Sequence, residues 1–104
     1  MYQISGYCIV KKDTALVYDV KNTKWVKTHE DRMSFQTLTD AEFALQNLGA
    51  KSAQGQIYSI IKYPSESSGP TEQLLYAKTS LPDFRFLTVQ SNNSQEGFIR
   101  LMLH

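Results

Sequence analysis

The run Tyr7-Cys8-Ile9-Val10-Lys11-Lys12-Asp13-Thr14-Ala15-Leu16-Val17-Tyr18-Asp19-Val20-Lys21-Asn22-Thr23-Lys24-Trp25-Val26 decides the fold. Ile4, Cys8 and Val10 share one parity and Tyr7 and Ile9 the other, so the segment Tyr2 to Lys12 reads as a strand of period two. Lys12, Asp13 and Thr14 form the turn, and Ala15 to Val20 resumes the alternation. Lys21, Asn22 and Thr23 predict a second hairpin, since Asn takes a left-handed backbone at low cost. The chain then returns through Lys24 to Thr28, and a short strand over Met33 to Gln36 follows.

Thr39-Asp40-Ala41-Glu42 carries capping-box spacing: the Thr hydroxyl can accept from the Glu42 amide while the Glu42 carboxylate reaches back. Ala41, Ala44, Leu45 and Leu48 recur at helical spacing, and Gly49 stands where a left-handed residue ends a helix. The predicted helix covers residues 40–48. Strands are expected over Gln56 to Tyr63, Glu72 to Lys78 and Phe84 to Gln90, with Pro64 and the flexible segment Ser65 to Thr71 between the first two. Gly97 to Leu103 is read as a second helix rather than a strand. Asn93-Ser94-Gln95-Glu96 has cap spacing, and Gln, Glu, Arg, Leu and Met favour helix.

The expected architecture is therefore a single α+β domain over residues 1–104, an antiparallel sheet of six to seven strands with one or two short helices. Tyr7-Cys8-Ile9-Val10-Lys11 resembles Tyr58-Ser59-Ile60-Ile61-Lys62, and Leu16-Val17-Tyr18 resembles Leu74-Leu75-Tyr76. These matches admit two readings, a duplication with halves 1–50 and 56–104 or coincidence in a β-rich chain. If the duplication is real, each half is a few antiparallel strands and a helix. A nine-residue helix is about 14 Å long and cannot cover one face of such a sheet. A second helix, a sheet curled on itself or another chain must complete the cover.

Eleven basic against ten acidic residues leave a net charge of +1, spread evenly between the halves, so no polyanion-binding field spans the chain. The N-terminus has no basic stretch before an apolar run, and no segment approaches eighteen continuous apolar residues, so a membrane role is not expected and the cytoplasm is. A lone cysteine, Cys8, excludes an intramolecular disulfide and a multi-cysteine zinc cluster. His29, Glu30 and Asp31 are the densest titratable cluster, but three adjacent residues make a poor metal site. Cys8 and His29 have the composition of a thiol and its base, yet Cys8 shares parity with Ile4 and Val10 and points to the core. Nucleophile elbows, phosphate loops and dinucleotide fingerprints are absent. No catalytic residue, cofactor or metal is assigned, and the chain is read as non-enzymatic.

Two surfaces remain. Phe98, Ile99, Leu101, Met102 and Leu103 leave only Arg100 polar, so this segment must be covered on two sides, and Phe98, Arg100 and Met102 are the candidate contacts to a protein partner or a second copy. Lys21, Lys24, Trp25, Lys27 and Arg32, with Tyr18 across the hairpin, are the alternative: a weak site for single-stranded nucleic acid through charge and stacking.

The run Leu16-Val17-Tyr18-Asp19 to Lys24-Trp25-Val26, with Phe35-x-Thr37 and Thr39-Asp40-Ala41-Glu42, resembles small orphan accessory proteins of bacteriophages and other mobile elements, over about a third of the chain. That resemblance implies a small accessory protein that binds and inhibits a host machine, CRISPR effectors included. It carries no functional residue across. The leading expectation is a protein-interaction module.

Overall fold

Alternation becomes pairing in the computed structural model, which describes residues 3–62, 84–92 and 97–104. Among the described residues the strands are β1 (Gln3–Lys11), β2 (Val17–Asp19), β3 (Lys24–Val26), β4 (Thr28–His29), β5 (Gly55–Lys62), β6 (Phe86–Ser91) and β7 (Phe98–Leu103), with one α-helix, α1 (Leu38–Gln46). Two 3-10 turns, Asp31–Met33 and Gly49–Gln54, flank the helix. The seven strands form one sheet in the order β3-β2-β1-β5-β7-β6-β4. Every pairing is antiparallel except that of β4 with β6. The α+β architecture read from the sequence is the one observed. The predicted strand Glu72 to Lys78, the segment Ser65 to Thr71 and the cap Asn93 to Glu96 lie outside the described residues.

Strands β3 and β4 stand at opposite ends of the sheet order, yet only Lys27 separates them in the chain. One bent strand therefore serves both ends, pairing with β2 before Lys27 and with β6 after it, and the sheet rolls up until its ends meet. Of the three ways to cover the second face, curling is the one that topology enforces. Cys8 and Val10 from β1, Val17 from β2, Tyr58 and Ile60 from β5, Leu87 and Val89 from β6 and Leu101 from β7 form one core cluster with Met33. The opposite parity of β1 turns outward, where Ile9 is buried and α1 packs against β1 and β5. Gly55 makes that contact feasible: a β-carbon there would lie 2.9 Å from Leu45 Cδ1 and 3.0 Å from Ile9 Cγ2.

The turns follow the expected chemistry with one shift, since Asp13 (φ 58°) and Thr23 (φ 52°), rather than Asn22, adopt the left-handed backbone. Gly49 takes the left-handed φ of 62° that was expected of it, but the helix already ends at Gln46 and Gly49 opens the second 3-10 turn. The helix starts two residues earlier than expected. Thr37, not Thr39, is its cap, and its hydroxyl accepts from the Asp40 amide at 3.1 Å. Both threonines have an acidic residue three positions on, and it is the Thr37 hydroxyl that meets a helix amide. Thr37→Ala should lower the unfolding free energy by about 0.5–2 kcal/mol, with Thr39→Ala nearly neutral. Chemical denaturation of both variants checks this, and the reverse order of effects would refute the cap.

Two further expectations are corrected. Met33 to Gln36 is not a strand: Met33 closes a 3-10 turn, and Phe35 makes a single bridge to Tyr7 through two backbone hydrogen bonds of 2.8 Å. Gly97 to Leu103 is not a helix but contributes β7, inserted between β5 and β6. The vacancy between those strands needs a ladder on both edges and apolar side chains on one face, which outweighs helix propensity. Residues 98–103 of the second half thus form a strand where a helix was expected. The similar segments in β1 and β5 lie side by side and antiparallel, with Tyr7 opposite Ser59 and Cys8 opposite Tyr58.

Candidate functional site

On β7, Arg100 stands between Ile61 of β5 and Thr88 of β6, and Met102 between Ser59 and Phe86. Phe98, Arg100 and Met102 share the outer face by parity, while Leu101 enters the core. The three differ in access. Phe98 is 44% exposed, Met102 is half-buried and Arg100 is only 9% exposed, its guanidinium 5.1 Å from the centre of the Phe86 ring. The sequence missed Phe43, which is 65% exposed on α1. Its departure from the Ala41, Leu45 and Leu48 stripe was the signal available.

The second candidate surface lies at one mouth of the curled sheet. Lys24 opposes Asp19 and Val26 opposes Val17 in the β2–β3 ladder, so Lys24 and Val26 project to the side that carries Val17 into the core. A cleft of about 280 Å³ opens there, with Val26 and Met33 at its apolar base and Asp19, Lys24, Lys27 and Arg32 around it. Asn22, Thr28, Glu30 and Asn92 complete its wall.

Asp19 organises this mouth. It is 2% exposed, and its carboxylate accepts from Arg32 Nη1 at 2.6 Å and Nη2 at 3.0 Å. It also accepts from Asn22 Nδ2 at 2.7 Å and from the Lys21 and Asn22 amides. The Arg32 hydrogen bonds hold the carboxyl well below the usual carboxylate range against the opposing effect of burial, with Asn22 assisting. Arg32 in turn is held protonated by Asp19, and its Nη2 also donates to Glu30 at 2.8 Å.

The structure therefore divides the six residues read as a nucleic-acid patch. Lys24, Lys27 and Arg32 converge on the mouth, and Lys21 is exposed at the hairpin tip. Arg32 is committed to two carboxylates. Tyr18 is buried and meets Trp25 edge-on, with ring centres 4.9 Å apart. Trp25 leans over the Gly55 site, 3.4 Å from where a β-carbon would stand. Both aromatic rings are packing residues, and neither lines the cleft.

His29 on β4 is 2% exposed. Its Nε2 lies 2.9 Å from Ser34 Oγ, and its Nδ1 has no hydrogen-bond partner among the described residues. Burial lowers its pKa from the ordinary 6.5, opposed by the Asp31 and Glu30 charges. No three His, Cys, Asp or Glu side chains gather as metal ligands among the described residues. Cys8 is fully buried and its thiol is pushed up to about 12 by desolvation. Native protein should therefore react with a thiol reagent only on the timescale of unfolding, and prompt stoichiometric labelling would contradict this.

Among the described residues no helix is long and apolar enough to cross a membrane. No protein-family model, curated protein or solved structure matches the chain.

Proposed function

We propose that this chain is a non-enzymatic protein-interaction module of the cytoplasm, and that it acts as an inhibitor carried by a mobile element against a host machine such as a CRISPR effector. The observation that carries the interaction reading is the exposure of Phe98 on the face that also bears Met102 and Arg100, in a strand at the middle of the sheet rather than at its edge. An exposed aromatic beside an arginine is the composition of a protein contact. Phe43 adds a second large apolar side chain in water. The resemblance of residues 16–42 to accessory proteins of mobile elements supports the inhibitory role.

The test is affinity capture from a bacterial lysate with and without nuclease, comparing the full chain with Phe98→Glu, and light scattering of the pure protein for self-association. The module reading expects nuclease-resistant capture, or a dimer, that Phe98→Glu abolishes while the melting temperature stays within a few degrees. Capture lost to nuclease would favour the single-stranded nucleic-acid alternative, which the exposed Lys21, Lys24 and Lys27 support.

A further inference from the structure

The mouth of the curled sheet has hydrogen-bonding groups left over, and most of them are donors. Both carboxylates in its wall, Asp19 and Glu30, are already engaged by Arg32. Among the described residues neither Lys24 nor Lys27 has an ion-pair partner. Arg32 spends three of its five N–H donors on those carboxylates, which leaves two on a guanidinium that the nearly buried Asp19 fixes in place. Three cations against two carboxylates give the wall a net positive charge, and its unspent groups are mostly donors. The base, Val26 and Met33, is apolar. Mouths of barrels are common ligand sites because they combine an apolar floor with a few convergent polar groups.

We propose that this mouth binds a compact oxyanion, a carboxylate or phosphate group on a small body, with Lys24 and Lys27 supplying ammonium groups and Arg32 its two remaining N–H donors. The cleft volume of about 280 Å³ has room for a small anion on a compact body. Among the described residues the cleft wall has no aromatic side chain, which argues against a base-stacking ligand. This site is separate from the β7 face and goes beyond the interaction reading.

Trp25, the single tryptophan, lies on β3 between Lys24 and Val26 with its ring on the opposite face beside Gly55, and serves as an intrinsic reporter. The full chain would be titrated with citrate and with inorganic phosphate against sodium chloride of matched ionic strength, following Trp25 fluorescence and the amide resonances of Lys24, Lys27 and Asn92. The proposal expects a saturable response at those residues that chloride does not reproduce. The double variant Lys24→Gln/Lys27→Gln should weaken it about tenfold or more without changing the melting temperature, because both side chains are exposed. Tighter binding of citrate would identify a carboxylate ligand, and tighter binding of phosphate a phosphate ester. A response no different from that of chloride would overturn the proposal, as would full retention of affinity in the double variant. Hexathymidylate binding at these residues far below the phosphate concentration would overturn it in favour of a polynucleotide.

Discussion

Removal of residues 97–104 is expected to leave the chain without a cooperative fold, and Leu101→Ala alone to cost about 2–5 kcal/mol. Strand β7 pairs with β5 through four residues and with β6 through five, so its loss leaves two facing edges unpaired. Leu101 is fully buried at the centre of that strand, opposite Ile60 on one side and Leu87 on the other, and Ile99 and Leu103 pack against the same core. A domain of this size is stable by only about 5–15 kcal/mol, so one such cavity removes a large share and loss of the strand removes all of it. Phe98→Ser serves as the contrast, since its exposed ring should cost far less. Circular dichroism and urea unfolding of the three variants test the argument. A truncated chain with native secondary structure and a cooperative melt would show that β7 is dispensable.

The elements that were legible in the sequence are those whose determinants are local. Strand β1, the turn at Asp13 and the position of the β2–β3 hairpin follow from alternation and local turn composition, although Thr23 rather than Asn22 takes the left-handed backbone in the hairpin. The start of α1 was placed two residues late because Thr39 carries the same spacing to an acidic residue as Thr37, the threonine that caps the helix. The β7 segment carried the right burial signal, apolar on two parities, and the wrong conformational one. Its Leu, Met and Arg residues favour a helix in isolation, whereas the gap between β5 and β6 is a tertiary fact.

The closure of the sheet was not legible at all. It depends on Thr28 meeting Gln90 and His29 meeting Ser91, a parallel pairing across more than half the chain, and nothing local in a two-residue strand announces it. The mouth was half legible. Lys24, Lys27 and Arg32 were visible as a basic group, but the pairing of Arg32 with Asp19, thirteen positions earlier, depends on how the hairpin folds back. That pairing turns a diffuse basic patch into a structured wall.

Strand β4 also makes the protein sensitive to acid. His29 is buried on the strand that joins the two ends of the sheet, its carbonyl accepts from the Asn92 amide at 2.9 Å, and its Nδ1 has no acceptor among the described residues to stabilise a second proton. The folded protein therefore holds His29 neutral to a lower pH than the unfolded chain does, chiefly through burial, although Asp31 and Glu30 pull the other way. A depressed histidine pKa contributes stability that is fully present above 6.5 and lost as pH falls below it, with a slope of up to about 1.4 kcal/mol per pH unit until the folded-state value is passed. Asp19 acts in a separate window: its depressed carboxyl contributes stability present above 3.8 and lost only as pH falls further. Urea unfolding across a pH series should thus show a first decline beginning near 6.5 and a second beginning near 3.8. His29→Gln should erase the first decline. If the first decline survives in His29→Gln, another group titrates there and β4 is not the acid-sensitive element. If it disappears in that variant, protonation of one buried imidazole is what loosens the seam beside the mouth.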